Sequence, residues 1–221
     1  MTQPHVFTFN NQTLGYANDD ILKVDSLNIL RGEKVALLGI SGSGKTTLLQ
    51  SLYQQQKQST AYCPQQLGLV DILSVFHNIY MGSLQRHNLA YNILSLVSPR
   101  PRELIEIGLL CDQFKLRSKL RTSIDQLSGG QRQRTALARA IYRQADIFLG
   151  DEPVSAVDNY QADTLLQLVT NKHQTVVVAL HDREQALTHF DRVIGLRQGE
   201  IVVDERTANL KEQDLAEIYR N

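Results

Sequence analysis

Eight consecutive residues, Gly39–Ile40–Ser41–Gly42–Ser43–Gly44–Lys45–Thr46, carry the spacing G-x-x-x-x-G-K-[ST]. Glycines at these positions let the backbone turn so that successive N–H groups point inward at phosphate oxygens. The lysine that ends such a loop reaches the β- and γ-phosphates of a nucleoside triphosphate, and the hydroxyl beside it is a Mg²⁺ ligand. Gly39, Ser41, Gly42, Ser43, Gly44, Lys45, Thr46 and Thr47 are the candidate phosphate-binding set, with Thr46 also a metal ligand. The start of the helix that should follow adds partial positive charge at the same place. By itself the loop implies a triphosphate and nothing narrower.

Further positions could complete a hydrolytic centre. Asp151 ends the apolar run Ile147–Gly150. A carboxylate at the end of a buried strand can hold Mg²⁺ through its water shell. Glu152 points differently and is free to take a proton from, or orient, an attacking water. His181 ends the apolar run Thr175–Leu180 and could donate a hydrogen bond to a phosphate oxygen, although a histidine at a strand end is often only structural. Gln65 follows Pro64 in a loop, where its amide carbonyl could be a further Mg²⁺ ligand.

Leu127–Ser128–Gly129–Gly130–Gln131 opens an Ala- and Arg-rich helix and repeats the physics of the first loop, a Ser and two glycines at a helix start. Two phosphate-binding helix starts in one chain are explained most economically by a head-to-tail dimer. Each nucleotide then lies between the phosphate loop of one copy and the Ser-Gly-Gly of the other. Tyr16 is either an exposed strand aromatic or a face on which a base stacks, and spacing leaves both open.

The elements expected to position these residues alternate between strand and helix. Val6–Tyr16 and Ile21–Leu30 read as antiparallel strands around a polar turn at Asn18–Asp20, leading into the strand Lys34–Leu38 and a helix at Thr47–Gln50. Ser59–Cys63 reads as a strand, and residues 71–126 as helices over Val75–Met81, Leu84–Val97 and Arg102–Leu110, interrupted by Pro99 and Pro101. A helix over Arg132–Arg143, a strand at Ile147–Gly150, a helix from about Tyr160 to Val169 capped by Asp158 or Asn159, and a strand at Thr175–Leu180 follow. Strands around Arg192–Leu196 and Ile201–Val203 and a C-terminal amphipathic helix close the chain.

The 221 residues are 42% apolar and 21% charged, and 23 basic residues match 23 acidic ones, so no bulk basic field points to nucleic acid or anionic lipid. Met1–His5 lacks the pattern of a secretory signal, and no apolar run approaches the ~18 residues that span a bilayer. Cys63 and Cys111 have no metal-like spacing and read as free thiols in a reducing compartment.

These residues, in this order, resemble the nucleotide-binding subunit of ATP-binding cassette transporters over nearly the whole chain. The resemblance implies an α/β fold, a P-loop NTPase core with a shortened antiparallel β subdomain and an inserted α-helical subdomain at about 71–128 of a single 1–221 domain. It implies an ATPase using ATP and Mg²⁺, with catalytic roles for Glu152, His181, Lys45 and Gln65. Tyr16, the phosphate loop, Ser128, Gly129, Gly130 and Gln131 then contact nucleotide, Thr46, Gln65 and Asp151 hold the metal, and Ser155–Asp158 makes dimer contacts. The implied partners are a second copy forming composite ATP sites, an integral-membrane permease that docks on the helical insert, and a periplasmic or lipoprotein solute-binding protein, with no nucleic acid. The implied location is peripheral, on the cytoplasmic face of the inner membrane.

Asn78–Leu84, Asp125–Gln126 and Arg192–Arg197 look like the ATPase subunit of phosphonate importers, which makes import of a phosphonate or related anion the expected function. The alternatives are an exporter ATPase or a soluble cassette ATPase acting on nucleic acid, ribosomes or cofactor assembly. The chain shows no coiled-coil insertion, second cassette or basic face of the kind the soluble members use. It also departs from the family pattern. Gln65 comes only 20 positions after Lys45, an interval where a β-hairpin is usual, and only 25 residues follow Leu196, too few for a regulatory domain. Ile40 stands where proline is common, Pro64 where an aromatic is usual, and Gly150 where a bulkier residue precedes the aspartate.

Overall fold

The computed structural model describes residues 4–16 and 19–219, the Tyr16 side chain excepted. The expected turn at Asn18–Asp20 therefore lies partly outside the described residues. The chain opens with a long hairpin, β1 (His5–Tyr16) and β2 (Asp19–Leu30), followed by β3 (Lys34–Leu38), α1 (Lys45–Gln55) and β4 (Thr60–Cys63). Next come α2 (Val75–Tyr80), α3 (Leu89–Val97), α4 (Pro101–Gln113) and α5 (Gly129–Tyr142). The remainder is β5 (Ile147–Asp151), α6 (Asn159–Lys172), β6 (Thr175–Ala179), α7 (Arg183–His189), β7 (Arg192–Arg197) and β8 (Glu200–Arg206).

The strands form one sheet in the order β1-β2-β8-β7-β3-β6-β5-β4. The run from β7 to β4 is parallel throughout, whereas β8 returns antiparallel to β7 and β1 antiparallel to β2. The period of two divides each apolar run between two cores. Val35, Leu37, Ile147, Leu149, Val177 and Ala179 face the side that holds Leu48, Leu49 and Leu52 of α1 and the apolar face of the hairpin. Ala36, Leu38, Phe148, Val176 and Val178 face the other side, with the buried residues of α2, α4, α5, α6 and α7. Cys63 and Cys111 are both free and buried, and burial pushes each thiol up to about 12.

The expected helices need correction at several points. The helix expected over Leu84–Val97 begins only at Leu89. Residues 81–86 wind as a 3₁₀ turn, and the Asn88 side chain accepts the Tyr91 N–H at 2.9 Å as a fresh N-cap. The C-terminal segment Glu212–Tyr219 is 3₁₀ rather than α, and its buried Leu215 and Ile218 lie three residues apart, the repeat of that tighter helix. Helix α7 was not foreseen. It is short and starts on the Asp182 cap, whose carboxylate accepts the Gln185 N–H at 3.1 Å. Pro101 does not merely interrupt a helix but begins α4, where a missing N–H costs nothing. The α1–β4 connection spans only residues 56–59, so the hairpin usual in this interval is indeed missing.

His173 joins α6 to β6, the strand that ends at the site. It is buried beneath Phe148, and its Nδ1 donates to the Ala145 carbonyl at 2.7 Å, leaving Nε2 enclosed without a partner. Burial holds its pKa below the usual histidine value, with Lys34 and Lys172 adding to the effect, and the Ala145 bond and Asp146 opposing it. The unfolded chain thus binds this proton at a higher pH than the folded one. Stability is full above the ordinary histidine pKa and falls as pH drops below it, by at most about 1.4 kcal/mol per pH unit for one proton. Thermal unfolding of wild type and His173→Gln between pH 7.5 and 5.5 checks this, and the variant should lose less stability on acidification.

Candidate functional site

Strands β3, β6, β5 and β4 are parallel neighbours, so their carboxyl ends share one edge of the sheet. The phosphate loop leaves β3 there, Gln65 follows β4, Asp151 ends β5 and His181 follows β6. An open pocket of about 360 Å³ at this edge is lined by Ile21, Ser41 to Thr47, Gln65 and Glu152. The loop's curvature needs positive φ at Gly42 (80°) and Gly44 (104°), a conformation only glycine takes freely. The Ser43 hydroxyl is buried in this loop with no hydrogen-bond partner among the described residues, which suits an oxygen-rich anionic ligand.

Lys45 is nearly buried, and its Nζ donates to the Gly39 and Ile40 carbonyls at 2.7 and 3.1 Å. Burial lowers its pKa, against the pull of the Glu152 and Asp151 charges. Asp151 lies on the α1 face of β5 by the two-residue period, and the Thr46 hydroxyl donates to its Oδ2 at 2.7 Å. Burial raises the Asp151 pKa, and the Thr46 bond works against that rise. Glu152 then leaves the strand in the left-handed region, φ 51°, with its N–H bound to the Ala179 carbonyl at 3.2 Å. Its carboxylate meets His181 Nε2 at 2.5 Å.

The remaining expected residues lie elsewhere. Ser128 and Gly129 are exposed and do not line the phosphate-loop pocket. The Ser128 side chain accepts the Gln131 N–H at 3.3 Å while Gln131 Oε1 accepts the Ser128 N–H at 3.0 Å, a reciprocal capping box for α5. Gly130 fits tightly, since a Cβ there would stand 2.7 Å from the Ala156 carbonyl. Ser155–Asp158 forms the turn into α6, with Asp158 its cap. The Tyr16 side chain lies outside the described residues. Ile21 and Arg139 are among the residues that escaped the sequence reading. Ile21 borders the pocket, and Arg139 donates to the Leu67 and Gly68 carbonyls at 2.5 and 2.7 Å, pinning the loop that carries Gln65. An arginine on the inner side of an otherwise Ala-rich helix was the available signal for the latter.

A parallel sheet flanked by helices, with a lysine-bearing phosphate loop on the central strand and an Asp-Glu pair on a neighbouring one, defines a P-loop nucleoside triphosphatase. Comparison with known proteins narrows this. The profile of the family described as ABC transporter matches residues 22–155. The chain is 31% identical to the phosphonates import ATP-binding protein PhnC of Caulobacter vibrioides, covering 99% of this chain and 95% of that protein. It is 34% identical to the PhnC of Anaeromyxobacter dehalogenans over 88% of this chain, though only 44% of that longer protein is covered. A phosphite import ATP-binding protein of Stutzerimonas stutzeri is 33% identical over 91% of this chain and 88% of its own length. Among solved structures, an ATP-binding cassette dimer in a post-hydrolysis state with ADP and Pi superposes with a TM-score of 0.76 at 26% identity, over 92% of this chain and 99% of that one. The chain belongs to the ABC transporter family. It is an ATP-binding ATPase of that family.

The departure at Gly150 has a physical reason. Phe148, two residues earlier on the same face of β5, leans across it, so a Cβ at 150 would stand 2.8 Å from the ring and 3.0 Å from Pro153 Cγ. Gly150→Leu should cost about 1–3 kcal/mol by overpacking. Adding Phe148→Leu should recover part of that loss, which thermal denaturation of the two single variants and the double variant will measure.

Proposed function

We propose that the chain is the ATP-hydrolysing subunit of a membrane importer for phosphonates or a closely related phosphorus oxyanion. It works as a head-to-tail homodimer on an integral-membrane permease at the cytoplasmic face of the inner membrane, with a solute-binding protein delivering cargo. The observation that carries the ATPase part is the convergence of Lys45, Thr46, Gln65, Asp151, Glu152 and His181 on one sheet edge, while Ser128 is exposed and does not line that pocket. A phosphate loop and a signature helix start that do not meet within one chain are complementary halves for two.

Thr46, Gln65 and Asp151 supply the oxygen donors for Mg²⁺. Among the described residues no cluster of three or more His, Cys, Asp or Glu side chains forms a metal cage, and a site with few protein ligands, completed by phosphate and water, is what Mg²⁺ favours. When bound, the ion neutralises charge on the β- and γ-phosphates. Lys45 balances the same phosphates, and the Glu152 carboxylate takes the proton of the attacking water. His181 orients Glu152 through their hydrogen bond, and in this reading it donates to the γ-phosphate once nucleotide is bound. Tyr16 stacks on the base. Ser128, Gly129, Gly130 and Gln131 close over the nucleotide of the opposite copy, as Ser155–Asp158 does across the dimer.

Residues 71–128 act as the helical subdomain of a single 1–221 domain and receive the permease. An open apolar groove of about 410 Å³, lined by Phe76, Pro99, Leu104 and Leu120 with Ser74, His77 and Arg121, suits a short cytoplasmic helix. Leu89, Ile93, Leu94 and Val97 of α3 are exposed beside this region of the chain. No helix among the described residues is long and apolar enough to cross a membrane, so this reading needs the separate permease. The cargo rests on the phosphonate and phosphite import names of the relatives.

Ser128→Arg and Lys45→Ala should each be nearly inactive, and mixing them should restore part of the ATPase activity through heterodimers with one intact composite site. A mixture no more active than either parent, with no crosslink between Ser128→Cys of one copy and a phosphate-loop cysteine of another, overturns the shared site. For cargo, deletion of the gene should abolish uptake of labelled alkylphosphonate under phosphate starvation. Unchanged phosphonate uptake with loss of an unrelated solute overturns the cargo and leaves the ATPase standing.

A further inference from the structure

Helix α5 carries a second polar device five residues beyond the Ser128 cap. The Gln133 side chain is buried at 6% exposure in an otherwise apolar face. Its Nε2 donates to the Glu152 carbonyl at 2.7 Å and to Ser155 Oγ at 3.0 Å, and its Oε1 accepts the Ala156 N–H at 2.6 Å. The reverse orientation of this amide would set oxygen against the Glu152 carbonyl and NH₂ against the Ala156 N–H, so the network fixes it. The Glu152 carbonyl also accepts from the Ser155 hydroxyl at 3.1 Å and the Ser155 N–H at 3.3 Å.

These bonds fall on the one strained residue of the site. Glu152 holds a left-handed φ of 51°, which a long side chain adopts only when its surroundings impose it. The neighbouring Arg134 donates to Gln161 Oε1, and the Gln161 N–H is bound by Asp158 Oδ1 at 2.9 Å. Two consecutive residues of α5 therefore hold both ends of the segment 152–161. Gly130, in the first turn of α5, packs against the carbonyl of Ala156 in the same segment.

We infer that Gln133 is a positioning residue for hydrolysis, which aims the Glu152 carboxylate and ties it mechanically to the helix start that serves the opposite nucleotide. The inference rests on the proposed role of Glu152. Movement of the first turn of α5 onto a partner's nucleotide is passed through Gln133 to this chain's own base, so the two composite sites are linked by side-chain bonds rather than by proximity alone. Gln133 itself touches neither the phosphate loop nor the pocket that loop lines.

The test is a cycle of variants read by single-turnover and steady-state ATP hydrolysis and by fluorescent-nucleotide binding. Gln133→Leu should lower kcat by about 10²-fold, the scale of a misaimed catalytic group, with nucleotide affinity changed by less than about threefold. Gln133→Glu keeps an acceptor for Ala156 but loses the donors to Glu152 and Ser155, and should lose at least as much rate. Glu152→Gln should lose about 10²–10⁴-fold. Adding Gln133→Leu to Glu152→Gln should then lose little more, because both act through one group. Losses that multiply in the double variant, or a Gln133→Leu protein with intact kcat, overturn the inference while leaving Glu152 in its role. A Glu152→Gln protein of full activity overturns the underlying reading instead. Should Gln133→Leu not fold, Ser155→Ala takes its place in the same cycle, with a several-fold kcat loss that must likewise vanish in the Glu152→Gln background.

Discussion

Parallel alignment of β3, β6, β5 and β4 is the constraint on which everything else rests. Parallel neighbours end together, so four chain segments far apart in sequence deliver their first loop residues to one line. The alignment requires burial on both faces, and the strands meet it with runs such as Val35–Leu38 and Val176–Ala179, which contribute alternately to two cores. The same alternation decides which way each functional group looks. Asp151 falls on the α1 side, within reach of the first-turn hydroxyl of Thr46.

Placing charges at this edge has a cost that the site does not fully offset. Burial raises the carboxyl pKa of Asp151, opposed by the Thr46 bond and helped by the Glu152 charge, and lowers the amine pKa of Lys45 against the pull of both carboxylates. Glu152 adds backbone strain at φ 51°. A chain selected for stability alone would hold none of these. Their concentration in one pocket is the physical mark of a site kept for what it binds, since a multiply charged ligand supplies the partners that the protein withholds.

The strands and the phosphate loop were legible in the sequence because their signals are local, an apolar run or a glycine spacing. So were Asp151, Glu152 and His181, each the polar end of such a run. Helix ends at Asn88 and Asp182 were missed because one capping side chain decides them, and periodicity alone does not register a cap. The 3₁₀ winding at Glu212–Tyr219 depends on what Leu215 and Ile218 pack into. Gln133 carried no signal, and Arg139 only that of a charge on an Ala-rich helix, for a deeper reason. Apart from Ser155 Oγ, their partners are backbone carbonyls and an amide 19 to 72 residues away, set in place only by the tertiary fold.

Among the described residues, the β1–β2 hairpin pairs with the rest of the sheet at one register position, Lys23 with Glu200, beside a bond from the Lys23 N–H to the Gly199 carbonyl and one from the Arg192 guanidinium to the Asn28 carbonyl. What anchors it is side-chain burial, through Phe7, Phe9, Leu22, Val24 and Leu27. Leu22 lies against Gly44, so the hairpin's seating reaches the phosphate loop directly. The hairpin and the floor of the pocket thus share one apolar core, and a wall of the pocket is set by how the side chains pack rather than by strand pairing.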